Sequence, residues 1–162
     1  MNDRIDNLLR IDRLVHEAAP DEEVVGLWES AVEAFEDARL VVRSPKRRLT
    51  AAYDAGRLSA LALVRAAGLR VRARNHHEVT LTAAGFLGGD ELDELLQEFQ
   101  ALRLERIQIE YGWSASTSPA QIDEILPGVR EILGLIGQAI REQRPSVRDR
   151  ISPPAGTDAE NG

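Results

Sequence analysis

The sequence predicts an all-α protein, an antiparallel helical bundle of about five to six helices. Three observations carry that expectation. Apolar residues recur at helical spacing through nearly every segment, serine–proline pairs and glycines bracket the long runs, and a single short stretch alternates residue by residue without an obvious strand partner. A chain of 162 residues with 43% apolar and 29% charged side chains suffices for one hydrophobic core.

Taken in order, residues 3 to 18 place Ile5, Leu8, Leu9, Leu14 and Val15 along a loose amphipathic helix that stops before Pro20. Asp21 is positioned to cap a second helix. Glu22 and Glu23 in its first turn complement the helix dipole, and Val24, Leu27, Trp28, Ala31, Phe35 and Ala38 form its buried face until about Val42. Ser44 before Pro45 opens a third helix, "RRLTAAYDAGRLSALALVRAAG", with Gly68 as its stop. In "LRVRARN" the period changes to two, with Arg70, Arg72 and Arg74 on one side, so this stretch reads as an extended connector. A short helix from about His76 to Phe86 ends at "LGGD", and Asp90 caps the next. That helix carries Leu92, Leu95, Leu96 and Phe99 on one stripe, continued by Leu102, Ile109 and Trp113, with Arg106 inside it. "SASTSP" is a loop. Ser118 and Pro119 start the last helix, which runs to about Gln143 with a kink expected at Pro127. The resulting division is an N-terminal helix over 1–20, the bundle over 21–144, and a tail over 145–162 too poor in apolar residues to pack.

Composition excludes several functions. There is no cysteine, and His16 stands far from the adjacent pair His76 and His77, so no metal-ligand spacing appears and no cofactor is implied. No G-x-S-x-G elbow or Gly-rich phosphate loop is present. "MNDRIDNLLR" is too charged for the centre of a signal peptide and no apolar run reaches the roughly 18 residues of a membrane span, so a cytoplasmic location without membrane contact is expected. Charge is unevenly placed: Arg39 to Arg74 carries +9, leaving −16 elsewhere in a chain of net −7. Such a stretch either faces phosphate, making Arg70, Arg72 and Arg74 candidates for weak RNA binding, or pairs internally with the acidic helices. The two histidines have a local reading too, one packing beside the start of its helix while the other faces solvent.

The order "RRLTAAYDAGRLSALALVRAAGLRVR", "NHHEV", "LRLERIQIEY" and a final long helix resembles the small bacterial HEPN domains over about residues 24 to 143. The resemblance rests on Ala52, Tyr53, Asp54 and Ala55; Gly68 and Arg70; His76 and His77; and Leu102, Arg103, Arg106 and Tyr111. It implies a HEPN-like bundle and a homodimer. In catalytic members an R-x(4-6)-H motif from two protomers cuts RNA without a metal, arginine steadying charge on phosphorus and histidine moving a proton. Here Arg106 occupies the arginine position, Tyr111 stands five residues later, and no histidine follows His77. Tyrosine, with an unperturbed pKa near 10, is a poor proton shuttle at neutral pH.

The resemblance therefore implies a catalytically degenerate binding or regulatory protein of a toxin–antitoxin, bacterial defence or RNA-linked module. A nucleotidyltransferase or toxin is the partner class, Tyr111 a candidate for modification with Tyr53 a poorer one, and Arg103 a further candidate contact. One alternative is a metal-independent ribonuclease joining Arg106 to His76 or His77, and another a purely structural interaction protein. Arg106 also has a structural reading, as a partner of Glu110 one turn along the helix or of an acid elsewhere. The stripe around Arg106 is the expected two-fold interface.

Overall fold

A computed structural model describes residues 2–110 and 117–154, the side chains of 102–110 excepted. The bundle is helical as expected. Its elements are α1 (Asp3–Arg10), β1 (Leu14–His16), α2 (Asp21–Arg39), α3 (Pro45–Ala66), β2 (Leu69–Val71), α4 (His76–Gly88), α5 (Asp90–Glu110), α6 (Pro119–Gln143) and a 3-10 helix over Pro145–Arg150.

The central helix is α3, which packs on α2, α6, α4 and α5. Small residues allow this. Ala52, Ala55, Gly56, Ser59 and Ala60 are buried along it, and a Cβ at Gly56 would come within 2.2 Å of the Phe99 ring on α5, so only glycine admits that approach. Larger side chains fill the layers around it, with Trp28, Phe35, Leu49, Tyr53, Leu63, Leu81, Leu96 and Ile136 at 0 to 2% exposure. Ser44 and Ser118 cap α3 and α6 through the backbone N–H of Arg47 and Gln121, and Gln121 returns the bond in a capping box. Gly68, at φ +73°, terminates α3 in the left-handed region.

Asp21 and Asp90 are the first residues of α2 and α5 rather than their caps, and Pro20, which has no side-chain acceptor, stands at the cap position of α2. Three larger features depart from the sequence expectation. First, α1 stops at Arg10 rather than reaching 18. Asp12 takes φ 58°, while Asp12 N–H donates to Leu9 O and Arg13 N–H to Leu8 O, the paired bonds of a Schellman stop built on aspartate instead of glycine.

Second, that stop frees Leu14–His16 to pair antiparallel with Leu69–Val71, so the alternating "LRVRARN" segment has a strand partner after all. Leu14, Leu69 and Val71 point into the core and Arg70 points out. The N-terminal segment belongs to the same body: Ile5 and Leu14 join the core, and the Asn2 amide donates to Phe86 O at 2.6 Å.

Third, residues 145–154 are packed, which corrects that part of the expected tail, while 155–162 lie outside the described residues. Val147 and Ile151 are at 0% and 2% exposure, and each such burial is worth roughly 1.5 to 3 kcal/mol. Trp28 Nε1 donates to Ser152 O at 2.8 Å, Arg141 to Ile151 O at 2.7 Å, and Arg144 and Arg150 pair with Asp21 and Glu22 in the first turn of α2.

Candidate functional site

Asn75 precedes α4, accepting from Arg13 at 3.1 Å and donating to Glu78 at 3.3 Å, and so fixes where His76 and His77 stand. His76 is exposed. His77 is half-buried, its ring edge-on to Tyr53 with centroids 6.2 Å apart, and Tyr53 in turn stacks on Phe99 at 5.6 Å with planes 2° apart. One histidine packs and the other meets solvent, as the local reading has it. The same ring column joins "AAYDA" on α3, His77 of "NHHEV" on α4 and Phe99 on α5, the helix that continues to Glu110.

Beside this column, α4 and α5 enclose a groove of about 510 Å³. Leu81, Phe86 and Leu96 give it an apolar floor, while Glu78, Asp93, Gln97 and Gln100 supply two carboxylates and two amides. Such a lining repels phosphate and accepts donors. The chain's own Arg4 illustrates the preference: its guanidinium lies 5.2 Å from the centroid of the Phe86 ring and 3.5 Å from Asp93 Oδ2. None of the polar groove residues stood out in the sequence, since Glu78, Asp93 and Gln97 are ordinary helix-surface types until α4 and α5 are laid side by side.

Five of the ten basic residues of the Arg39–Arg74 stretch pair within the chain. Arg48, 2% exposed, donates to Ala38 O at 2.8 Å and pairs with Asp123 at 3.3 Å. Arg65, 8% exposed, donates to Glu23 at 2.7 Å and to the carbonyls of Leu69 and Glu17 at 2.9 and 3.1 Å, binding the two strands to α3. Arg39 pairs with Glu36, Arg57 with Asp54 and Arg70 with Glu17. Arg72 and Arg74 are exposed and make no ion pair among the described residues. The three connector arginines thus do not act alike, Arg70 being engaged by a carboxylate 3.0 Å away.

Arg103 and Arg106 belong to α5, but their side chains lie outside the described residues, as does Tyr111 altogether. Tyr53, the other tyrosine of the chain, is fully buried and closed to a modifying enzyme in the folded protein. Among the described residues no cluster of histidine and carboxylate side chains is set to hold a metal, and no helix is long and apolar enough to cross a membrane. No family model, curated protein or solved structure matches the chain.

Proposed function

We propose that this chain is a catalytically degenerate HEPN-like protein that binds or regulates a partner in a toxin–antitoxin, defence or RNA-linked module. The carrying observation is the ring column of His77, Tyr53 and Phe99. It supports the HEPN-like reading because it brings two of the motifs of that resemblance, at Tyr53 on α3 and His77 on α4, together against the helix on which Arg106 follows. Degeneracy rests on Tyr111 standing where the family motif has histidine, and the column weighs against the ribonuclease alternative through His77, which packs against a buried ring, a poor situation for a residue that must exchange protons with substrate.

The adjoining groove offers the binding surface. Its carboxylates and apolar floor suit a partner segment carrying arginine or lysine next to apolar side chains, and disfavour an RNA backbone. The ribonuclease alternative must bring His76 or His77 to Arg106, which follows Phe99 by seven residues of α5, about 10 Å along the helix. Incubating the purified chain with single-stranded RNA in the presence of a chelator tests the choice. The expected result is no cleavage beyond that of an Arg106→Ala variant. Cleavage that requires both Arg106 and His76 or His77 would establish the enzyme instead.

A further inference from the structure

The groove between α4 and α5 continues past their seam. A second hollow of about 580 Å³ opens on its α1 side, bordered there by Asp3 and Arg4, and the two hollows share Thr82, Phe86, Asp93 and Gln97 as a common wall. Arg4 rests on that wall through Phe86 and Asp93, and among the described residues it is the one cation lining either hollow, against the carboxylates of Asp3, Glu78 and Asp93. The two members of the ion pair are held unequally. The Asp93 side chain is only 15% exposed and is lodged against α4 where a Cβ on Gly85 would come within 2.5 Å of Asp93 Oδ1, so glycine makes the room for this carboxylate. Arg4 is 60% exposed and meets Asp93 through a single nitrogen at 3.5 Å, the long limit of a hydrogen bond, and an exposed single-point pair of this kind exchanges easily. Helix α1 does not depend on it. Ile5 is fully buried, and Asn2 both accepts from Ile5 N–H at 2.9 Å and donates to Phe86 O, so the backbone stays fixed when the Arg4 side chain leaves.

We propose that Arg4 is a competitor built into the chain: the group this groove recognises is an arginine of a partner protein, which binds by taking the place of Arg4 over Phe86 and against Asp93. The proposal rests on the groove being the binding surface and adds the identity of the recognised group and the regulation of its access. The side chain already seated there names the chemistry, a planar guanidinium with an aromatic ring beneath it and a carboxylate at its edge. Arg4 and an incoming arginine need the same ring and the same carboxylate, so they exclude one another. Gln97 and Gln100, one turn apart on α5, each bring a carbonyl and an NH2, the complements of a ligand's peptide backbone. A competitor within the chain lowers the apparent affinity for every ligand by the same factor, so a surface offering a lone basic residue fails where a segment with further contacts in the hollow succeeds.

NMR titration of the full chain with the peptide acetyl-Leu-Arg-Leu-amide, its leucines chosen for the apolar floor, tests the exchange. In the wild type the Arg4 Nε–H and Phe86 ring resonances should shift together as peptide is added. Arg4→Ala should bind the peptide about threefold or more tightly, because the site no longer has to be vacated. Arg10→Ala, which removes the same charge from an exposed position of the same helix, should leave the affinity within about twofold. Asp93→Asn keeps the shape beside Gly85 and should weaken binding about tenfold or more with an unchanged thermal midpoint. The same peptide with citrulline, a neutral isostere of arginine, should not bind, and that with lysine should bind less well than arginine. Equal affinity in wild type and Arg4→Ala, with binding still lost in Asp93→Asn, overturns the competitor and leaves the groove as the binding surface. A gain in Arg10→Ala equal to that in Arg4→Ala, or equal binding of the citrulline peptide, likewise overturns the proposal. Binding by neither wild type nor Arg4→Ala overturns the competitor and the groove together, while the HEPN-like reading is decided separately by the RNA incubation.

Discussion

Arg65 answers a requirement that the sequence points to at Arg106, namely that an arginine on a core-facing line must find several partners. It sits in "ALVRAAG", where flanking alanines and the glycine stop signal close packing, yet its partners come from Glu17, Glu23 and Leu69 and become visible only once the strands are paired. Replacing Arg65 with alanine strands those carbonyls while leaving the half-exposed acids to water. The expected loss is about 2 to 3 kcal/mol in urea unfolding, with Arg65→Lys recovering less than half because an ammonium cannot reproduce the guanidinium fork. Tyr53 was legible as a packed residue from its alanine-rich setting. Its stacking on Phe99 was not, because the vacancy at Gly56 that admits the Phe99 ring is a property of two helices together.

Three helix ends were legible, while Asp21 and Asp90 turned out to be first helical residues and not caps. Ser44–Pro45, Ser118–Pro119 and Gly68 act through bonds to their immediate neighbours, and each stands where local chemistry places it. The end of α1 was obscured by an aspartate doing what glycine usually does, and the C-terminal segment by averaging: Val147 and Ile151 are sparse in composition but converge on α2 in space. The salt bridge from Arg150 to Glu22 gives that segment a pH dependence. The hydrogen bond from Arg150 and its positive charge hold the Glu22 carboxyl below its ordinary range. A carboxyl depressed in the folded state contributes stability above its unfolded pKa and loses it as pH falls through the folded one. Protection of the Trp28 indole N–H, which is bonded to Ser152 O, measured relative to the intrinsic exchange rate at the same pH, is therefore expected to fall slightly as pH drops below the usual carboxylate range. In Glu22→Gln the exchange should be faster at neutral pH and should lack that acid step, a contrast measurable by NMR.

For the whole molecule, the charge asymmetry of the sequence resolves by half into internal pairing, with Arg39, Arg48, Arg57, Arg65 and Arg70 each facing a carboxylate while Arg43, Lys46, Arg47, Arg72 and Arg74 stand exposed. The bundle class was readable because helical periodicity is a short-range property. The groove between α4 and α5 was not, being a product of how two surfaces meet. The pairing of Leu14 with Val71 bears in addition on the order in which the chain folds. The strands meet at the root of the α2–α3 hairpin, so everything from residue 17 to 68 must be closed into a loop before their bonds can form. The hairpin itself needs only neighbours in sequence. Loop-closure entropy therefore sets the sequence of events: α2 and α3 dock first, and the strand clamp closes over a hairpin already made. Pulsed hydrogen exchange during refolding should protect amides within α2 and α3 before those of Glu17 and Arg72, whose N–H groups donate across the strand pair to Gly68 and Arg13. Protection of all of them in a single phase would mean instead that the clamp is part of the folding nucleus.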